Sequence, residues 1–185
     1  MIRHSNTVLQ KARELENRQE HVIHIGISLM NPAEILLEQW GHAAKLHPNF
    51  RLEIVPFEDT VPAFLDILDH LGNKIDLISC PYDTSHWGDR YNSFHLKDLP
   101  MCISCSNMHS LADKECLTWE DLHGRTLILP SRGLTNYADP IWDFLEKEHT
   151  QIRLRGVDYT DIALFNQLVS SDDLMLSAEC WKNVH

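Results

Sequence analysis

The sequence is short of positive charge. Sixteen lysines and arginines stand against 27 aspartates and glutamates, a formal net charge of −11 over 185 residues with histidine neutral. A chain that grips nucleic acid needs a basic face to neutralise phosphates. No Lys/Arg cluster supplies one, so no nucleic-acid binding by this chain alone is expected. Apolar runs are also short: none approaches the about 20 residues that span a bilayer, and no membrane partner is expected. The opening stretch MIRHSNTVLQKARELENRQE lacks the apolar core of a secretory signal, which makes the cytoplasm the expected location. The cysteines Cys80, Cys102, Cys105, Cys116 and Cys180 are odd in number, and a reducing compartment argues against a disulfide framework.

Ready-made chemistry is missing too. Glycine-rich phosphate loops of the standard kinds are absent, as are H-x-x-x-H and H-E-x-x-H spacings among the twelve histidines. Ser131 lacks a G-x-S-x-G elbow. One C-x-x-C occurs, Cys102 to Cys105, with His95 before it and His109 after it. Residues three apart on a strand point to opposite faces, so these thiols read as structural, not as a metal or redox pair. The expectation is a non-enzyme with no metal, no cofactor and no catalytic residues.

What is present is an ordinary globular composition, 43% hydrophobic and 23% charged. Its length suits one large domain or two small lobes. The organising stretch is His21 to Trp40. Ile23, Ile25 and Ile27 alternate with His24, Gly26 and Ser28 at strand spacing. Asn31 reads as an N-cap, Pro32 as the first helical residue and Glu34 as the partner that closes a capping box. A strand feeding a helix in this way offers free backbone N–H groups to a polar or anionic ligand, although Glu34 competes for the same positive end.

Residues 3–20 read as a charged helix with a thin apolar stripe, Val8, Ala12 and Leu15, suited to a dimer contact. After the opening unit, Arg51 to Phe57 reads as a strand, with Asp59 or Thr60 capping a helix that carries Val61, Phe64, Leu65, Leu68 and Leu71. Gly72 reads as its C-cap residue, and Ile75 to Cys80 as a buried parallel strand. Pro81 to Asp89 is turn-rich, Tyr91 to Lys97 reads as a strand and Pro100 to Cys105 as another. Thr118 to Asp121 resembles a capping box on a one-turn helix ending at Gly124. Thr126 to Leu129 is a strand, Asp139-Pro140 opens a helix, Ile152 to Val157 is a strand, Ile162 to Val169 a helix, and Asp173 to Ser177 a strand.

The alternation of strand and helix predicts parallel sheets in two α/β lobes joined near residues 81–97. The expected division is a helix over 1–20, a first lobe over 21–90 and a second over 91–185. Ligands in such sheets bind beyond the carboxyl ends of strands. Those positions are Ser28 to Asn31, Phe57, Cys80-Pro81, Ser131-Arg132 and Asp158-Tyr159.

This order of parts resembles the effector-binding region of LysR-type transcriptional regulators. The likeness is carried by the charged helix before HIGIS, by PNFRLEI at Pro48 to Ile54, and by Leu65 to Ile78 with its LDHLGNKIDLI. It continues through MCISCSNMHSLADKECLTWEDLHG at Met101 to Gly124 and LILPSRG at Leu127 to Gly133. The resemblance implies two Rossmann-like lobes of the type 2 periplasmic-binding-protein fold behind a linker helix that pairs subunits. It also implies a small-molecule effector in the cleft and self-association as a homodimer or higher oligomer. The family's winged helix-turn-helix is not in this sequence, and the first lobe is expected to be incomplete at its C-terminal end. The implied effector contacts are Ser28, Leu29, Asn31, Phe57, Pro81, Ser131, Arg132 and Asp158, with Arg132 suited to a bidentate carboxylate contact. Leu29 and Met30 depart from the polar residues common in that loop, which favours an amphipathic ligand over a strongly anionic one. The competing expectations are a solute-binding protein of the same bilobal fold, or an α/β enzyme.

Overall fold

Seven strands form two separate sheets in the computed structural model, which describes residues 20–81 and 91–182. Nearly all of the expected linker helix and most of the turn-rich stretch after Pro81 lie outside these residues.

The first sheet has the order β2-β1-β3, built from β1 (His21–Ile27), β2 (Phe50–Pro56) and β3 (Leu77–Ile78). All pairings are parallel, with Ile25 opposite Ile54 on one side and Leu77 on the other. Two helices make the crossovers, α1 (Glu34–Ala43) and α2 (Val61–Asp69), as a β-α-β-α-β pattern requires. Gly26 explains why β3 can approach β1: a Cβ there would stand 2.7 Å from Ile78 Cγ2. None of the ten residues of α1 is buried, and on α2 only Phe64 and Leu68 are. A three-stranded sheet spans about 10 Å, two inter-strand spacings, and gives a helix of similar width little lateral cover.

Several boundaries differ from expectation. Asn31 is not the cap of α1: Ala33 holds that place and Glu34 is the first helical residue. Ser28 is the reason. Its Oγ accepts both the backbone N–H and the side-chain amide of Asn31, each at 3.1 Å, which folds Asn31 back into the loop. Thr60, not Asp59, caps α2 by accepting from Ala63 N–H. The helix ends at Asp69 with His70 as its C-cap, and Gly72 takes a positive φ of 88° in the turn beyond. Residues 91–97 form no strand; they run with Phe94 and Leu96 exposed and no strand alongside to supply a ladder.

His24 and Asp76 fasten the lead-in of β3 to β1. The backbone N–H of His24 donates to Asp76 Oδ2 at 2.7 Å, and its ring Nδ1 lies 3.0 Å from the same oxygen. That backbone hydrogen bond is the main reason the Asp76 carboxyl sits below its ordinary 3.8. A lowered carboxyl pKa contributes stability above the ordinary value and loses it as pH falls through the lowered one. Asp76→Asn is therefore expected to cost under about 1 kcal/mol near neutral pH, the scale of a partly exposed pair. The difference from wild type should shrink as pH falls below the ordinary carboxylate range and Asp76 takes up its proton, as read by urea unfolding across pH.

The second sheet has the order β4-β7-β5-β6, from β4 (Met101–Ser104), β5 (Thr126–Pro130), β6 (Arg153–Val157) and β7 (Leu174–Ala178). β5 pairs in parallel with both β6 and β7, and β4 runs antiparallel to β7. Leu127, Ile128 and Leu129 are all fully buried because the sheet is covered on both faces. Ile128 and Met175 pack against Leu164, Phe165 and Leu168 of α4 (Ile162–Val169). Leu127, Leu129, Leu174 and Leu176 pack with Leu122, Ile152 and Leu145 of α3 (Ala138–Glu148). The one-turn helix Trp119–Leu122 has its expected box, with the Asp121 carboxylate accepting the Thr118 N–H at 2.8 Å. Asp139-Pro140 does not open α3, which starts at Ala138; Asp139 instead accepts the N–H of Gly133, whose φ of 77° turns the loop after β5.

Candidate functional site

The carboxyl end of β1 meets the second lobe. Met30, in the loop after β1, is buried among Ile128, Leu164, Phe165 and Trp181, and Val157 packs on the same group. Its carbonyl accepts Trp181 Nε1–H at 2.9 Å in a fully buried bond. Across the same junction the Phe64 and Tyr159 rings lie 6.1 Å apart. Ile128 leads within its strand toward Ser131, and Val157 directly precedes Asp158. The strand ends of both lobes therefore come together around Met30.

On the first lobe the structure groups Ser28, Leu29, Asn31 and Phe57. Phe57 N–H donates to Ile27 O at 2.9 Å, which holds it beside the loop. Leu29 is exposed, whereas Asn31 is buried with 1% exposure. The Asn31 Oδ1 has no hydrogen-bond partner. The free N–H groups expected of this loop are not free: Leu29 N–H donates to Asp59 Oδ2 at 2.9 Å, and Met30 N–H reaches the same carboxylate at 3.3 and 3.4 Å. Because Thr60 takes over the cap of α2, Asp59 is left to close the loop.

On the second lobe Ser131 and Asp158 are joined by a 2.7 Å bond from Ser131 Oγ to Asp158 Oδ1. Ser131 N–H also donates to Val157 O at 2.9 Å. Gly156 is needed beside them, since a Cβ there would lie 2.9 Å from Ser131 Oγ. Arg132 turns toward α3. It donates to Asp143 at 2.6 Å and Glu146 at 2.7 Å and lies 5.5 Å from the Trp142 ring centre. Two carboxylates thus already use the guanidinium fork that was expected to face a ligand. Pro81 is half-buried behind Cys80, whose thiol burial pushes up to about 12. Tyr159 is also raised to about 12, first by burial and then by the nearby Asp59, Cys80 and Asp161.

Sequence reasoning missed three of these residues. Asp59 carried a signal, since an Asp-Thr pair before a helix leaves one of the two free once the other caps it. Met30 and Trp181 carried none, because a side chain that crosses between lobes obeys no local period.

Among the described residues no group of three metal-ligating side chains converges. Cys102 and Cys105 fall on opposite sides of β4: Cys105 packs with Leu127 and Leu176, while Cys102 lies toward Glu179 and Cys180. A separate cavity of about 300 Å³ lies at the far end of α4, lined by Ser106, Met108, His109 and Val169 to Asp172. No described helix is long and apolar enough to cross a membrane.

Solved structures share this architecture. The probable amino-acid ABC transporter extracellular-binding protein ytmK from Bacillus subtilis matches with a TM-score of 0.52 at 17% identity, over 86% of this chain and 71% of that one. Full-length OxyR C199D from Pseudomonas aeruginosa matches with a TM-score of 0.51 at 12% identity, over 100% of this chain and 64% of that one. No family model matches the sequence, and no curated protein matches it. The fold is the bilobal type 2 periplasmic-binding fold.

Proposed function

We propose that this chain is the effector-binding region of a LysR-type transcriptional regulator. It binds a small metabolite between its lobes and passes that binding on to its oligomeric state. In this reading residues 21–90 form the first lobe and 91–185 the second, while the linker expected over 1–20 lies almost wholly outside the described residues. The observation that carries the reading is the burial of Met30 in the core of the second lobe, with its carbonyl held by Trp181. That seam supports the reading because it joins the two lobes near their strand ends, and ligands of such sheets bind beyond strand ends. A molecule there would meet Ser28, Leu29, Asn31, Phe57 and Pro81 from one side and Ser131 and Asp158 from the other. Arg132 is held against α3, and pairing with a ligand carboxylate would require exchange of its bonds to Asp143 and Glu146. Contacts to both lobes favour one lobe arrangement, the differential affinity that a ligand-driven switch needs.

The likeness to an extracellular-binding protein supports a second reading, solute capture for transport. One experiment separates the two. A thermal-shift screen of small metabolites on the full chain is followed by titration against Ser28→Ala and Ser131→Ala, with sedimentation of each complex. Each variant should weaken binding by about 0.5–1.5 kcal/mol, the scale of one hydrogen bond, and the ligand should change the sedimentation coefficient of the assembly. Equal affinity in both variants places the site elsewhere. Binding without any change in assembly favours solute capture.

A further inference from the structure

The crevice offers a ligand negative charge and open acceptors. At its first-lobe edge, the backbone N–H groups that would receive an anion are filled by the Asp59 carboxylate, through Leu29 at 2.9 Å and Met30 at 3.3 Å. The chain's own carboxylate thus stands where a ligand carboxylate would, and a ligand anion approaching this loop meets like charge. Asp158 and Asp161 flank Tyr159 on the opposite side. Among the described residues no lysine or arginine pairs with Asp59, Asp158 or Asp161; Arg132, two residues past β5, is held by Asp143 and Glu146, and Arg155, two residues before the end of β6, pairs with Asp173. A second observation is independent of these charges: Asn31, 99% buried at the foot of the same loop, keeps its Oδ1 without a donor. A buried carbonyl oxygen without a partner is costly, and an N–H donor satisfies it. The carboxylate oxygens of Asp59 also retain acceptor capacity beyond the two backbone donors. Half-buried Tyr159, backed by the buried Phe64 ring, supplies aromatic surface at the junction, which favours a cation over an anion.

We infer that the effector of this crevice carries a positively charged amino group, which is held by Asp59 with the Asn31 carbonyl and the Tyr159 ring beside it. The inference rests on the effector-crevice reading above and names the chemical class of the ligand. Asp59 has two roles in it: it closes the loop to anions and presents its outward lone pairs to the ammonium.

The test uses the full chain and a four-carbon series matched in length: putrescine, γ-aminobutyrate, butanediol and succinate. Putrescine should raise the Tm most and succinate least. Asp59→Asn should weaken putrescine about tenfold or more, the scale of a charge-assisted hydrogen bond. Asp59→Ser uncovers the Leu29 and Met30 N–H groups and should invert the order, so that succinate gains affinity as putrescine loses it. Should the Asp59 variants fail to fold, the order within the series on wild type and a weakening of putrescine by Tyr159→Leu carry the test. Stabilisation by succinate and not by putrescine overturns the inference; if Ser28→Ala and Ser131→Ala still weaken that binding, the crevice reading stands. Indifference of the chain to the whole series, alongside neutral or anionic hits in the metabolite screen, overturns the inference alone. A screen without any hit removes the reading on which it rests.

Discussion

Replacing Trp181 by alanine is expected to destabilise the protein by about 3–5 kcal/mol, the cost of deleting a large buried aromatic side chain. Trp181 is 5% exposed and touches both lobes. Its ring packs edge-on against Phe165, 6.0 Å between centres, and its Nε1–H closes the bond to Met30 O. The loss thus has two parts. Trp181→Phe separates them: it keeps most of the apolar area but leaves the Met30 carbonyl buried without a donor, which should cost about 1–3 kcal/mol. The larger substitution should also loosen the lobes, so unfolding followed by intrinsic fluorescence and by far-ultraviolet dichroism should no longer coincide. Coincident, unshifted transitions would mean that the seam contributes little.

Ile128→Ala is expected to cost about 2–5 kcal/mol. Ile128 has no exposed surface and sits in the middle of β5, the strand paired on both sides, beneath α4. A cavity there cannot collapse easily, because the neighbouring strands are fixed by their ladders and Met30 fills the space from the other lobe. Ile128→Val removes one methylene and should cost only about 0.5–1.5 kcal/mol. Urea unfolding of both variants checks the ratio. Similar costs for the two would show that the site relaxes around the smaller side chain.

Much of the fold was legible because it follows local periods. The alternation of Ile23, Ile25 and Ile27, the unbroken apolar run of β5 and the Thr118 box each depend on neighbours within a few residues, and each has its expected place in the structure. Errors arose where two local partners competed. Asn31 carried a good cap signature, yet Ser28 is close enough to take both of its N–H groups. Asp59 and Thr60 compete for one helix start, and the winner sets the charge of the crevice. Tyr91 to Lys97 has the composition of a strand without a neighbouring strand to pair with. The contact of Trp181 with Met30 spans 151 positions and had no sequence signal at all. Where the strands end was legible within a few residues, while the partners of each side chain were not. Ser131 and Asp158 find each other, whereas Arg132 turns to α3.

The central claim is that one small molecule is held by both lobes at once. Amide hydrogen–deuterium exchange on the full chain, with and without the tightest ligand from the thermal-shift screen, tests it most directly. The account predicts added protection at two separated segments together, Ser28 to Asn31 and Ser131 with Val157 to Tyr159, each reduced in the Ser28→Ala and Ser131→Ala variants. Protection confined to one lobe, or centred on Ser106 to His109 at the far end of α4, would contradict it.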